Sequence, residues 1–210
     1  MADTASEYPP ILRCTAWANP VDDPAALARK SGIVAVDLVD RERLHLLAER
    51  GMRAESPPWS ALIWSLPTSD LPGQRTLLTL DLVRHDGWGD PDTGTPDAVL
   101  MVSLVSASPG LDHATFASRY RAHIDVARKH HGFAAYRQNV TATPGTGPDA
   151  VSEILLASEV DWRRRFYVGE GSAAAVGADV ANFLDRRTTS STIVRRFAGG
   201  RGDMLRQCEG

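Results

Sequence analysis

Cysteine is nearly missing from this sequence: among 210 residues only Cys14 and Cys208 carry a thiol. They stand near opposite ends without metal-ligand spacing, which argues against a structural zinc site and makes a disulfide framework unnecessary. Long apolar runs are also missing, and none approaches the roughly 18 uninterrupted apolar residues of a membrane-spanning helix. The opening M-A-D-T-A-S-E-Y-P-P lacks the basic start and apolar stretch of a secretion signal, so cytoplasmic residence is the expectation. No G-x-G-x-x-G, G-x-x-x-x-G-K-[ST] or G-x-S-x-G segment occurs. Nucleotide cofactors and serine hydrolysis thereby lose their usual signals, and no cofactor is expected.

A strong excess of charge of one sign is absent from the whole chain but not from its parts. Residues 1–97 carry 9 basic and 15 acidic side chains, residues 98–210 carry 14 and 11, and the total is −3. The basic balance of the second part, with Arg163-Arg164-Arg165, Arg186-Arg187 and Arg195-Arg196, falls short of the concentrated basic face of a nucleic-acid binder. A small-molecule partner is expected, with no nucleic acid and no membrane. At 43% hydrophobic and 23% charged, the chain is long enough to bury a sizeable core.

Residues 84–97, R-H-D-G-W-G-D-P-D-T-G-T-P-D, combine glycine, proline and aspartate at turn-forming density and predict a connector, with a boundary near Asp97. Before it, residues 11–17, 32–39, 61–66 and 75–83 read as strands and 40–50 as a short helix. The first ten residues and the tail from Gly199 are small, polar or glycine-bearing and are expected to fray.

After the boundary, residues 98–107 are apolar and β-branched, Ser108-Pro109-Gly110 breaks the run, and Asp112 is placed to cap a helix ending near Lys129. Arg128, Lys129 and His130 suit the negative helix end, and Gly132 is expected to terminate it in a left-handed conformation. Strands follow from Phe133, over 150–157 and over 190–197. A second helical region starts at D-W-R-R-R-F-Y-V and is expected to resume through 180–184. The order is β-α-β-β-α-β, the ferredoxin-like arrangement, in an α+β fold. Such a unit leaves one sheet face bare. Either a second copy of the chain, as a homodimer, or a degenerate repeat within residues 1–97 is expected to cover it.

On the first long helix, Phe116, Tyr120, His123 and Ala127 recur at +4, +3 and +4 and share one face. An imidazole facing inward there titrates near neutrality and can take and return a proton. The plainer reading is a core histidine bonded to a backbone carbonyl. Arg119, four residues earlier, is a candidate to bind a carboxylate or enolate oxygen.

The helix with His123, Gly132 and Tyr136-x-Gln138-Asn139, then Glu153 in the third strand and Asp179-x-x-x-Phe183-x-Asp185 before the last, resembles the EthD family of dimeric α+β barrel proteins over roughly 98–197. Two positions differ: Arg119 stands where family members carry an aromatic residue, with Tyr120 one place later, and no proline follows the histidine closely. The resemblance implies small-molecule degradation or biosynthesis in a cleft between helix and sheet. Neighbouring barrel families include isomerases, cyclases, dehydratases and cofactor-free monooxygenases.

Tyr120, Tyr136, Asn139 and Glu153 are the candidate substrate-binding residues, with Asn139 also able to orient His123. Glu153 is also a candidate second acid/base group on the cleft side, but reads more simply as a solvated strand residue paired with an arginine. Asp179 and Asp185 read as helix-capping neighbours of a core Phe183, and His130 and His131 as helix-end and turn residues without metal geometry. Trp17, Trp59, Trp64 and Trp88 are either core or the wall of an apolar pocket between the halves. The function expected is proton transfer of the dehydratase, isomerase or cyclase type on an oxygenated, largely apolar substrate, with His123 as acid/base. A carrier using the same cleft, or a cofactor-free monooxygenase, is the alternative.

Overall fold

The computed structural model describes residues 11–71, 74–145 and 147–199. Eight antiparallel strands form a closed barrel: β1 (Ile11–Trp17), β2 (Ile33–Val39), β3 (Ala61–Ser65), β4 (Thr76–Trp88), β5 (Val99–Val105), β6 (Ala135–Thr141), β7 (Ala150–Leu156) and β8 (Ser190–Ala198). The order around the barrel is β1-β3-β2-β8-β5-β7-β6-β4, and β4 returns to β1. The fold class is α+β.

Within each half the spatial order is the same. Counting strands along each half, both read 4-1-3-2, and the halves join through β2 with β8 and β4 with β6. Between the strands lie α1 (Pro24–Ala28), α2 (His45–Ala48), α3 (His113–His130), α4 (Glu159–Arg165) and α5 (Ser172–Val180). The inner sheet faces meet in one apolar core, where Leu12, Leu62 and Leu82 pack with Leu100, Val151 and Val194. The face left bare by the second half is therefore covered by the chain's own first half.

The connector expected over 84–97 is shorter, because β4 continues to Trp88. Arg84, His85 and Asp86 stand opposite Asn139, Gln138 and Arg137 in the β4–β6 ladder, and Arg137 Nε donates to Asp86 at 2.8 Å. The glycines that signalled a turn serve close approach instead. A Cβ on Gly87 would lie 2.8 Å from the Tyr136 carbonyl; one on Gly89, at φ +64°, would lie 2.3 Å from that of Ala134.

Three helical expectations also change. Only His45–Ala48 of the 40–50 segment is α-helical, while α1 forms where none was foreseen: Asp23 accepts from the Ala26 amide at 2.7 Å and Pro24 opens the helix. The second helical region ends at Val180 rather than resuming there. Gly132 is not left-handed. Helix α3 ends through an extended His131, and Gly132 instead donates to the Arg165 carbonyl at 2.8 Å, so close that a Cβ would collide with it. Asp112 caps α3 as expected, accepting from Thr115 N at 2.9 Å. The first ten residues, the tail beyond Gly199 and Cys208 lie outside the described residues.

The charge asymmetry of the sequence is resolved by pairing across the halves. Arg196 on β8 bonds Asp37 on β2 at 2.7 Å and Asp92 at 2.7 Å, Arg137 on β6 bonds Asp86 and Asp90, and Arg163 meets Glu49. Asp92 sits in a 3-10 turn, Pro91–Thr93, that packs on β6 and β7.

Candidate active site

Helix α3 lies on the outer face of the second half's sheet and packs against α5. Its inward stripe is the one the spacing predicts, for Phe116, Tyr120, His123 and Ala127 are all buried. Phe116 stacks on Tyr120 and Phe183 packs at a tilt against both, with ring centroids 5.4–6.3 Å apart, and burying each such ring contributes about 2 kcal/mol. This packing fixes the next inward residue, His123, against the rings of Phe183 and Tyr136, at 5.4 and 6.2 Å.

His123 is not held by a backbone carbonyl. Its Nδ1 lies 2.6 Å from Oδ2 of Asp179 on α5. A carboxylate at that nitrogen makes Nδ1 the proton-bearing one and leaves Nε2 as the free lone pair. Among the described residues no protein group hydrogen-bonds Nε2. Burial lowers the His123 pKa from its usual value, and Asp179 offsets part of that by favouring the imidazolium.

His123 opens on a cavity of about 840 Å³ between sheet and helices. Aromatic and apolar groups dominate its walls, among them Phe133, Tyr136, Ile154, Phe166 and Val180, and the 50–59 segment of the first half contributes Met52 and Trp59. The polar lining includes Tyr120, Ser103, Ser152 and Ser191. Tyr136 Oη accepts from Gln138 Nε2 at 3.0 Å, and burial pushes its pKa up to about 12, so it stays a proton donor at neutral pH.

Of the other expected site residues, Tyr120 and Tyr136 share the cavity with His123, and three do not. Arg119 donates to the Asn182 carbonyl at 2.7 Å on the exposed side of α3 and does not line the cavity. Asn139 and Glu153 face the barrel interior, on the opposite side of the sheet. Asn139 Nδ2 donates to Glu153 Oε1 at 2.8 Å, so it orients that carboxylate and not His123. Glu153 is fully buried and bonded to Arg196, with Arg137 at 3.5 Å; these cations hold its pKa below the usual value against the opposing effect of burial.

Two site residues escaped the sequence reading. Asp179 does not cap a helix; it is the partner of His123. His131 is buried rather than a plain turn residue: its Nδ1 bonds the Phe166 carbonyl, its ring stacks on Phe133 at 4.1 Å, and it lines the cavity. Burial lowers its pKa to about 4. Among the tryptophans, Trp59 lines the cavity, whereas Trp64 is in the barrel and donates to Asp37 at 2.7 Å. Among the described residues no cluster of three or more histidine, cysteine or carboxylate groups could hold a metal, and no helix is long and apolar enough to cross a membrane.

No family model matches the chain, and no curated protein matches it. Among solved structures, the chain is similar to a candidate monooxygenase from Lactobacillus acidophilus NCFM, with a TM-score of 0.51 and 9% identity. The likeness covers 91% of this chain and 96% of the other. It is a likeness of fold. It extends over both halves and not the second alone.

Proposed function

We propose that this chain is a cofactor-independent enzyme of small-molecule metabolism in which His123, oriented by Asp179, is the general acid/base. The observation that carries this is the 2.6 Å Nδ1–carboxylate contact, which leaves Nε2 as the lone pair of a neutral imidazole that lines a largely apolar cavity. Nε2 takes a proton from a carbon or hydroxyl next to a substrate carbonyl, and Asp179 stabilises the imidazolium formed. The enolate oxygen is met by the Tyr136 hydroxyl, which accepts from Gln138 and keeps its own proton at neutral pH. Returning the proton to another carbon completes an isomerisation; delivering it to a departing hydroxyl completes a dehydration.

The EthD-like motifs and the 4-1-3-2 order of both halves support reading the chain as an α+β barrel of the dimeric type with both sheets in one polypeptide. On that reading residues 1–97 are a shortened repeat, and a homodimer is not needed to close the barrel. The fold neighbour favours a second reading, cofactor-free oxygenation, in which the same deprotonation yields a carbanion that dioxygen oxidises to a carbonyl with release of water.

A panel of enolisable aryl ketones and hydroxyaryl compounds tests this, read by solvent-deuterium incorporation and oxygen uptake. His123→Asn is expected to lose activity by on the order of a hundredfold while still binding the compounds. Undiminished turnover in that variant defeats the proposal. Binding without turnover in either protein supports a carrier instead.

A further inference from the structure

Apart from the Tyr136 hydroxyl, the polar groups of the sheet face beneath α3 fall along one line. Gln138 on β6 stands opposite Ser152 on β7, Ser152 opposite Ser103 on β5, and Ser103 opposite Ser191 on β8. On the same face the neighbouring rows are Val99, Met101, Val105, Ile154, Leu156 and Ile193. A helix-covered sheet face is stabilised by apolar burial, so hydroxyls repeated at one level across three adjacent strands need another explanation.

The three serines line the His123 cavity, and Ser103 and Ser191 are hydrogen-bonded to each other at 2.8 Å. A hydroxyl pair uses one proton internally and keeps one to donate. At one end of the row Gln138 Oε1 is buried without a hydrogen-bond partner, and the buried Tyr120 hydroxyl has only the hydroxyls of Tyr136 and Ser152 beside it. A buried polar atom left this way is costly until something meets it.

We infer that this cross-strand row is the oxygen-binding floor of the site, and that it selects ligands carrying two neutral oxygens on alternate carbons. The inference rests on the reading of the cavity as a small-molecule site, not on His123 being catalytic. Adjacent strands stand about 4.8 Å apart, so the facing Ser152 and Ser103 present two hydroxyls, each able to donate or accept, at about that spacing. Oxygens placed meta on an aromatic ring, or in an extended 1,3-dicarbonyl, match it; ortho oxygens are much closer together. The row itself holds no charged group, the charged side chains Arg50, Arg53, Glu55, Arg186 and Arg187 standing elsewhere in the cavity lining, so the groups that meet the row are neutral phenols and carbonyls.

Calorimetry on the full chain with hexylresorcinol, hexylcatechol and hexylphenol tests the spacing. The wild-type protein is expected to bind hexylresorcinol on the order of tenfold more tightly than either of the others, the discrimination that one or two buried neutral hydrogen bonds supply. Ser103→Ala/Ser152→Ala is expected to bring the three affinities together while hexylphenol binding is retained, which also reports an intact fold. Should the double variant lose hexylphenol as well, Ser152→Ala alone is judged by the same ratio. Equal affinities in the wild type, a preference that survives the substitutions, or no binding of hexylresorcinol overturns the inference. His123→Asn is expected to keep the preference, so a failure of the acid/base proposal is read separately from a failure of the floor.

Discussion

His123 and Asp179 are 56 positions apart in the chain and 2.6 Å apart in the fold, carboxylate to Nδ1. The pair spans α3 and α5, so the packing of these two helices is also what builds the acid/base group.

Asp179→Asn removes the charge that favours the imidazolium while burial still opposes it. The His123 pKa, already lowered, is expected to fall further, which NMR titration of the ring would show. Turnover is expected to drop on the order of a hundredfold. In the wild type the rate should rise as pH increases through a value below 6.5 and then level off, since the neutral ring is the base. An unchanged titration in Asp179→Asn would break the link between the two residues.

His131 makes stability depend on acid. Its pKa is about 4 in the fold against 6.5 in the unfolded chain, so between those values the unfolded state binds the extra proton. Its contribution is complete above pH 6.5 and is lost as pH falls towards 4. His131→Asn, which keeps a donor for the Phe166 carbonyl but cannot titrate, is expected to remove about 2 kcal/mol of the loss between pH 7 and 5. Denaturant melts at the two pH values measure it, and equal slopes for both proteins would refute it.

Glu153 and Asn139 hold the barrel, not a ligand. Glu153→Gln leaves Arg196 and Arg137 short of a buried counter-charge and is expected to cost about 3 kcal/mol of stability. Ligand affinity in the His123 cavity should stay within about twofold, because the side chain is on the other sheet face. A large loss of affinity without loss of stability would return Glu153 to the site.

Arg119→Ala should be nearly silent. The guanidinium is exposed and bonds one carbonyl, so less than about 1 kcal/mol of stability is expected to go, with turnover unchanged. A kinetic defect at constant stability would contradict its placement outside the cavity.

The shortened connector shows where sequence patterns mislead. Gly87 and Gly89 have turn-like neighbours, yet they serve a strand that runs against the β6 backbone, and the partner that demands a glycine lies about fifty residues downstream. Asn139 is the opposite case, since its misplacement was readable in advance. Tyr136 and Asn139 are three positions apart on one strand, and a period of two puts them on opposite faces. Likewise the alternation around Glu153 was visible, but only the structure shows that Ile154 is the one facing the cavity.

By itself the sequence determined the local terms: where apolar β-branched runs make strands, where Asp112 starts a helix, and which stripe of that helix turns inward with His123 on it. These follow from propensity and periodicity within a dozen residues. Tertiary structure alone decided that the first half closes the barrel, that Asp179 is the partner of His123, and that serines from three strands share one level. Each of these joins residues distant in the chain through strand register or helix packing, and no local pattern encodes which of the many possible partners will meet.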